Sequence, residues 1–376
     1  MKYYIIAGEA SGDLHAGNLV RGLRKLDERA ELRGWGGDHM EYAGVKLVKH
    51  YRDLAFMGFV EVILNLRTIF KNLAFCKLDI KGYKPDVLIL VDYPGFNLRI
   101  AEWAKRHHIK VIYYISPQVW AWKENRVKGI KKNVDKMLVI LPFEKQFYRK
   151  WNFDVEYVGH PLVQVIEDFK DSQRSNQLTD ILQPGKSPLL IALLPGSRKQ
   201  EILKKLPIML EVARHYPAYQ FVVAKAPGIE DDFYQALLAP YTNVSSVINK
   251  TYDLLHVSKA ALVTSGTATL ETALFGVPEV VCYKGSAISY HIAKRLIKIK
   301  YISLVNLIMD KEVVRELIQD ELTVENLRVA LHTLLSNGEK QQQLAKDYQA
   351  LKDLLSKGGN ASEHAAQSIF KFMYVK

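Results

Sequence analysis

The sequence predicts the α/β class, with two Rossmann-like domains whose parallel sheets face a central cleft. Three observations support this prediction. The 376 residues are enough for about two domains. Short apolar runs alternate with amphipathic stretches in two consecutive series, as in βαβ units. Runs such as VLILV at 87–91 and KVIYYI at 110–115 are apolar on both faces, which is typical of strands covered by helices on both sides.

The first domain is predicted over residues 1–170. Its strands and helices are expected, in chain order, at 3–6, 14–26, 87–91, 98–107, 111–115 and 136–141. The polar segment 166–188 ends in a Pro-Gly-Lys-Ser-Pro cluster, so we place the domain boundary there. The second domain is predicted over 186–345. From about Gly338 the chain is helical by its period, and a helix at 345–376 is a candidate to pack back and complete the first domain.

Composition limits the partners and the compartment. The formal charge of +12 and the pI near 9.3 indicate an anionic partner. No zinc-finger spacing or basic-aromatic RNA motif favours nucleic acid. Cys76 and Cys282 lie far apart in apolar stretches, which argues against a disulfide framework or a cysteine metal site. No run has the length of a signal-peptide core or a membrane span, so a cytoplasmic protein is expected.

Two turns in the second half are candidates for binding a diphosphate. LLPGSR carries Gly196, Ser197 and Arg198, where backbone N–H groups at a helix start and a guanidinium fork suit phosphate oxygens. The alternative is an ordinary capped helix with a solvated arginine. The second turn is TSGTATLE at 264–271, in which Glu271 is placed to accept bonds from ribose hydroxyls; otherwise it is a capped helix start. The small residues of this turn are Ser265, Gly266, Thr267 and Thr269.

Asp92 is the candidate general base in the first half. It directly follows the apolar strand 87–91, where partial burial raises the pKa of a carboxyl. Its alternative role is to cap the turn before the next helix. The segment SPQVWAW contributes Ser116, Gln118 and Trp120 as a sugar-binding surface beside a basic run at 123–132. The alternative is a packed Trp pair, since Trp120 and Trp122 would share one face of an extended strand.

The segment 53–75 is predicted to form an amphipathic helix. Phe59, Ile63, Leu66, Phe70 and Leu73 would share one face, and Glu61, Asn65, Thr68 and Asn72 another. A core helix is the default interpretation. The wide apolar sector with flanking Arg67, Lys71 and Lys77 is also typical of helices on anionic membranes.

Other chemistries lack their motifs. There is no HExxH, no Asp-x-Asp pair, and no carboxylate at ligand spacing from the adjacent His107 and His108, so no metal site is expected. GEASG is not a nucleophile elbow, because its serine is displaced by one position. His160 in VGHPL is interpreted as structural or as a donor-side contact.

Taken together, these strings resemble bacterial lipid-A-disaccharide synthases over essentially the whole chain. The matching strings are AGEASGD, GGDHM, MGFVEVI, SPQVWAWK, LPFEKQFY, VGHPL, LLPGSR..E and TSGTATLE, in this order. The resemblance implies a GT-B glycosyltransferase that needs neither metal nor cofactor. It would transfer 2,3-diacylglucosamine from its UDP derivative to 2,3-diacylglucosamine 1-phosphate (lipid X) with inversion, forming a β-1,6-linked disaccharide 1-phosphate and UDP.

The resemblance also assigns residues. Asp92 matches the family's aspartate after the strand, and Asn306 matches the asparagine of a SLxN segment. Arg198, Ser265, Gly266, Thr267 and Glu271 match the UDP-binding motifs. The chain departs from the family at Gly95, where a second carboxylate is frequent, and at Val305, where proline is frequent. Asp92 is therefore the sole acid of its motif.

On this interpretation the loop after the first strand lies on the acceptor side, where carboxylates accept bonds from sugar hydroxyls and glycines let the backbone approach the sugar. The residues are Gly8, Glu9, Ser11, Gly12 and Asp13. A peripheral location on the inner face of the inner membrane is implied, with acyl or head-group contacts at Phe56, Met57, Phe59, Ile63, Arg67 and Lys71. The resemblance allows a homodimer with exchanged C-terminal segments. The rival function is a UDP-N-acetylglucosamine 2-epimerase-like isomerase.

Overall fold

Two units divide the chain in the computed structural model. The structure describes residues 1–54, 66–172, 189–286, 300–357 and 359–374. Unit 1 comprises Met1–Pro161 and Leu355–Lys376, and unit 2 comprises Leu162–Leu354. Each unit contains one sheet in which every pair of neighbouring strands is parallel. The predicted α/β class with two parallel sheets is confirmed.

Unit 1 is built on a seven-stranded sheet in the order β3-β2-β1-β4-β5-β6-β7. The order reverses between β1 and β4, which makes their carboxyl ends the switch point where ligands collect in open α/β sheets. The strands are β1 (Lys2–Ala7), β2 (Glu31–Gly36), β3 (Lys46–His50), β4 (Val87–Val91), β5 (Lys110–Tyr114), β6 (Lys136–Val139) and β7 (Glu156–Tyr157).

Helices cover both faces of this sheet. They are α1 (Ala10–Leu26), α2 (Asp38–Tyr42), a 3-10 turn (Tyr51–Leu54), α3 (Leu66–Tyr83), α4 (Pro94–Arg106), α5 (Val119–Trp122), α6 (Arg126–Asn133) and α7 (Glu144–Arg149). The next helix, α8 (Pro161–Asp171), begins at the boundary and continues in unit 2. Successive residues of one strand enter opposite cores: Tyr4 and Ile6 belong to one cluster, Tyr3 and Ile5 to the other. This two-sided burial is why the strands read as unbroken apolar runs.

Unit 2 repeats this plan with six strands in the order β10-β9-β8-β11-β12-β13. Its switch point lies between β8 and β11. The strands are β8 (Leu189–Leu194), β9 (Tyr219–Lys225), β10 (Val244–Ile248), β11 (Ser258–Thr264), β12 (Glu279–Tyr283) and β13 (Arg315–Ile318). The helices are α9 (Lys199–Ala213), α10 (Asp231–Leu238), α11 (Thr251–Val257), α12 (Thr267–Phe275), α13 (Leu304–Met309), a 3-10 turn (Gln319–Glu321), α14 (Val324–Ser336) and α15 (Gly338–Ser356).

The last described helix, α16 (Ala361–Tyr374), belongs to unit 1. It packs on α1 so closely that a Cβ at Gly22 would lie 2.9 Å from Cβ of Ala366. Lys25 Nζ pairs with Glu363 at 2.7 Å, and Ala365, Ala366 and Ile369 are fully buried. The small residues of α1 and α16 therefore allow the two helix backbones to approach.

The helix predicted over 53–75 differs from the structure where it can be compared. Residues 55–65, and with them Phe56, Met57, Phe59 and Ile63, lie outside the described residues. The described helix α3 continues to Tyr83. Phe70, placed on the apolar face, is 61% exposed, whereas Asn72, placed on the polar face, is buried and accepts a bond from Lys49 Nζ at 2.7 Å. The helix nevertheless buries an apolar stripe at Leu73, Cys76 and Ile80, and Asn72 lies beside this stripe with its bond to Lys49.

Trp120 and Trp122 do not share a face. Residues 119–122 form the short helix α5 instead of a strand, so the two rings point in different directions: Trp120 is 9% exposed and Trp122 is 52% exposed. Within the part of the chain that the structure describes, no helix combines the length and the apolarity needed to cross a membrane.

Candidate active site

Asp92 lies at the switch point of unit 1, directly after β4 and beside the end of β1. Asp92 and Tyr93 both have left-handed backbones, with φ of 46° and 48°. For non-glycine residues this conformation costs about 1–3 kcal/mol each and persists only where the surroundings hold it. Here the Asp92 carbonyl accepts bonds from Asn97 Nδ2 at 2.7 Å and from Tyr113 Oη at 2.6 Å. The Asp92 amide donates to the Tyr114 carbonyl at 3.1 Å. The turn is therefore clamped in a strained shape.

The Asp92 carboxyl has the acidity that a general base requires. Partial burial, followed by the negative charge of Glu9, raises its pKa to about 7, and a bond from the backbone of Tyr93 opposes the shift. Glu9 itself is exposed. A carboxyl poised near neutrality accepts a proton efficiently while it is substantially ionised at pH 7. The raised pKa of Asp92 thus reflects both its burial and the charge of Glu9.

The Tyr93 ring leaves no room for a side chain at Gly8. A Cβ at Gly8 would lie 2.2 Å from Cδ1 of the Tyr93 ring, and that ring stacks on Phe96 with centroids 5.7 Å apart. At Gly12 the nearest atom to such a Cβ would be 3.6 Å away, so that position has ordinary room. The glycine at position 8 therefore lets the Tyr93 ring pack against the loop, next to the turn that holds Asp92.

The prediction for Asp13 needs correction, because the structure commits its carboxylate to the protein. Asp13 is 1% exposed. Its Oδ1 accepts bonds from the backbone of Gly37 at 2.7 Å and Met40 at 3.1 Å, and its Oδ2 accepts from His39 at 3.0 Å. The side chain caps the start of α2, where unpaired N–H groups favour a negative charge. The exposed members of this loop are Glu9 and Ser11.

Ser116 and Trp120 also serve the interior and do not form a sugar-binding surface. Ser116 Oγ lies 2.6 Å from Tyr148 Oη, and Trp120 Nε1 donates to Glu144 at 3.3 Å. Glu144 is 1% exposed, accepts from the Leu141 amide at 3.0 Å, and has a pKa raised to about 7 by burial. Of the three predicted residues, Gln118 alone is exposed. Sequence reasoning missed Glu144 and Tyr148, although both stand in the quoted string LPFEKQFY.

The exposed Trp122 forms an aromatic and cationic surface next to this buried group. Lys123 Nζ lies 3.9 Å from the Trp122 ring centroid and the Arg126 guanidinium 6.0 Å from it. Cation–π contacts of this kind are worth about 0.5–1 kcal/mol at exposed sites. Two cations of the basic run at 123–132 therefore contact the aromatic ring that precedes the run.

The switch point of unit 2 holds a cavity of about 330 Å³. The turns after β8 and β11 both line it, together with the end of β9. Glycines with positive φ form the bends, Gly196 at 119° and Gly266 at 154°. The predicted residues that line the cavity are Gly196, Ser197, Ser265, Gly266, Thr267 and Glu271.

The polar side chains at this cavity have distinct roles. Arg198 is exposed and pairs with Glu201 at 3.5 Å, so its guanidinium lies at the surface beside the first turn. Ser265 Oγ donates to the Ile302 carbonyl at 2.8 Å. Glu271 accepts from Tyr252 Oη at 2.9 Å, and burial raises its pKa. Thr267 is exposed.

Two residues predicted to bind UDP are structural. Thr269 is fully buried and its hydroxyl donates to the Gly266 carbonyl at 2.8 Å, so it holds the turn from below. Asn306 is also fully buried, and all its polar atoms are used. Its Oδ1 accepts from the amides of Val313 and Val314, and its Nδ2 donates to Val314 and to Glu316 Oε1. The SLxN asparagine therefore joins α13 to β13 and has no free group for a ligand, a correction of both predictions.

Sequence reasoning also missed a buried lysine beneath these turns. Lys205 is 3% exposed, and it lies three residues after Ile202 and four before Met209, on the apolar stripe of α9. The sequence signal that could have identified Lys205 is its position among the apolar residues of the buried helix face, where a charge needs a partner. As for metals, no cluster of three His, Cys, Asp or Glu side chains is found in the described ranges.

The chain matches the family model described as lipid-A-disaccharide synthetase over residues 3–370. It is 40% identical over 375 residues to the lipid-A-disaccharide synthase of Geobacter metallireducens, covering 98% of this chain and 96% of that protein. It is 38% identical over 371 residues to that of Syntrophus aciditrophicus, with 97% and 96% covered.

Solved structures show the GT-B fold. The UDP-GlcNAc 2-epimerase from Neisseria meningitidis bound to UDP-GlcNAc has a TM-score of 0.70 at 14% identity, covering 99% of this chain and 100% of that one. CalG4, the calicheamicin glycosyltransferase, has a TM-score of 0.63 at 16% identity, with 100% and 98% covered. These identities carry the fold and not the activity.

Proposed function

This chain belongs to the lipid-A-disaccharide synthase family, and we propose that it transfers 2,3-diacylglucosamine from its UDP derivative to 2,3-diacylglucosamine 1-phosphate. The product is the β-1,6-linked disaccharide 1-phosphate, and UDP is released. We assign the acceptor to unit 1 and the UDP-sugar to unit 2. The observation that supports this assignment is the contrast at the two switch points: a carboxyl with a pKa near 7 in one and glycine turns around a cavity in the other.

In the proposed mechanism Asp92 acts as general base. The primary hydroxyl oxygen of the acceptor bonds to the anomeric carbon of the donor, on the side opposite UDP, and its proton passes to the Asp92 carboxylate. The bond between the anomeric carbon and the diphosphate oxygen breaks, and its electron pair leaves with UDP. Attack from the opposite side inverts the anomeric centre.

The departing diphosphate gains negative charge, which the second site is suited to stabilise. The backbone N–H groups of the turns at Gly196 and Gly266 and the guanidinium of Arg198 supply fixed positive potential. Glu271 is placed to accept bonds from ribose hydroxyls. On this proposal the protein itself provides the charge that a metal would otherwise supply.

We also propose contact with an anionic membrane. Arg67 and Lys71 are exposed on α3, whose surface also carries Phe70, Phe75 and Leu78 at 61%, 47% and 69% exposure. Apolar side chains beside cations are typical of helices that lie on anionic lipid. Acyl contacts at Phe56, Met57, Phe59 and Ile63, peripheral binding to the inner face of the inner membrane, and a dimer with exchanged C-terminal segments stay predictions.

A product assay tests the function. Purified protein is incubated in detergent with both monosaccharide substrates, each carrying a different isotope, in the presence of EDTA. We expect one lipid product that contains both labels and an equal amount of UDP. A change of the UDP-sugar in the absence of the acceptor, without a doubly labelled product, would support the epimerase instead; activity abolished by EDTA and restored by a divalent cation would overturn the metal-free mechanism.

A further inference from the structure

The ammonium group of Lys205 lies beneath both turns of the unit 2 cavity. It bonds to Thr264 Oγ1, and Thr264 is the last residue of β11, directly before the Ser265–Thr267 turn. On the other side, a Cβ at Gly196 would lie 3.4 Å from Lys205 Nζ. One buried cation thus adjoins the two backbone segments that we assign to the donor diphosphate.

Among the described residues, Lys205 has one carboxylate partner, and that partner is distant and shared. Its charged neighbour is Glu201, whose Oε2 lies 4.0 Å away and whose side chain is 38% exposed. Glu201 also pairs with Arg198 at 3.5 Å. Burial lowers the pKa of Lys205, and removing an ammonium group from water costs several kcal/mol unless a partner restores the loss. A second anion close to the turns would complete the compensation.

A buried cation acts on a nearby anion differently from a surface cation. Water and salt screen exposed charges within about 8 Å at physiological ionic strength, whereas buried charges are screened much less. Lys204, the preceding residue, is exposed and provides the comparison, because it carries the same charge one position away on the solvent side of α9.

We infer that Lys205 is a positioning residue for a nucleoside diphosphate: its ammonium holds Thr264 and the following turn in place and supplies unscreened positive charge to the diphosphate. This inference rests on the proposed function of the cavity. On this inference Lys205 contributes to binding of the diphosphate and not to binding of the nucleoside. When the glycosyl bond breaks, the same charge favours departure of UDP.

The test compares Lys205→Met with Lys204→Met, which remove the same charge from neighbouring positions. Titration calorimetry measures UDP and uridine binding to wild type and to both variants. Two charges several ångströms apart interact by about 2 kcal/mol at an effective dielectric constant of about 20, so we expect Lys205→Met to weaken UDP binding about 10- to 100-fold. Lys204→Met should change it less than about twofold, and uridine binding should be unchanged in both.

Folding is checked by the thermal unfolding midpoint of each variant. If Lys205→Met does not fold, Lys205→Gln replaces it, since its amide can keep the bond to Thr264 without the charge; the same selective loss of UDP binding is expected. Equal UDP affinity in the folded variant and wild type, or parallel losses of UDP and uridine binding, would overturn the inference. Wild type that binds neither ligand would instead refute the UDP site itself.

Discussion

The two switch points share a strand order but differ in charge and in backbone. In unit 1 the strand ends carry Glu9 and Asp92, and non-glycine residues adopt positive φ under a set of hydrogen-bond clamps. In unit 2 they carry glycines with positive φ, and the cations Arg198 and Lys205 lie there beside the carboxylates of Glu201 and Glu271. The comparison teaches that topology places a site at the strand ends, while the residues at those ends decide which charge it receives.

The largest effect should come from Asp92→Asn, which removes the proposed base of unit 1. A general base contributes about 10²- to 10⁴-fold, so we expect turnover to fall at least about 100-fold in the product assay. Because the pKa of Asp92 is raised to about 7, ionisation of this carboxyl lowers the free energy of unfolding as pH rises from about 4 through 7. Asp92→Asn carries no such charge, so it should be no less stable than wild type at pH 8. An active, folded variant would return Asp92 to a capping role.

Asp13→Asn is the matched change at the buried carboxylate of the same unit. An amide cannot accept on both sides, so at least one bond from the α2 backbone is lost. We expect about 2–3 kcal/mol of destabilisation, measured by urea unfolding, with near-normal turnover below the unfolding transition. Unchanged stability combined with lost turnover would place Asp13 in the active site instead.

Gly8→Ala tests whether the clamped turn needs the Tyr93 ring where it lies. The added methyl would overlap the ring, and overpacking of this kind costs about 1–3 kcal/mol. If the overlap displaces Asp92, turnover should fall about tenfold or more, because about 1.4 kcal/mol of lost transition-state stabilisation corresponds to a tenfold change in rate. Gly95→Ala is the control in the same turn, because its Cβ would meet nothing within 4 Å; equal losses in both variants would refute the steric explanation.

The smallest expected effect is a shift of the pH profile in Glu9→Gln. The negative charge of Glu9 disfavours ionisation of Asp92. Removing that charge should therefore lower the pKa of Asp92 from about 7. The rise of kcat/KM with pH should therefore move to lower pH by less than about one unit, since burial, the larger cause, remains. A profile that stays in place, or moves to higher pH, would show that the charge of Glu9 does not raise the pKa of Asp92.

The fold could be predicted because two-sided burial is visible locally. Runs such as 87–91 and 110–115 are apolar on both faces of the strand, and their residues are buried. This pattern alone was enough to predict parallel sheets covered by helices on both sides. The position of Asp92 followed from the same rule, since it is the first polar residue after a buried strand.

The failures concern residues whose hydrogen-bond partners lie outside the motif that was matched. Asn306 bonds to residues 313–316, and Asp13 bonds to residues 37–40. A motif match names such residues but does not say whether their donors and acceptors face a ligand or the backbone. Trp120 failed for a local reason, because residues 119–122 form a single helical turn that buries its ring and exposes that of Trp122. Lys205 could have been found, since it interrupts the apolar stripe of α9.

The placement of α16 has a consequence for synthesis on the ribosome. Unit 1 contains Met1–Pro161 and the segment from Leu355 onward, and α1 lacks its covering helix until that last segment has emerged. Residues 162–354 emerge earlier, so unit 2 is complete while unit 1 still exposes the α1 surface around Gly22. We therefore expect unit 2 to reach its native state before unit 1, which waits for α16 to emerge.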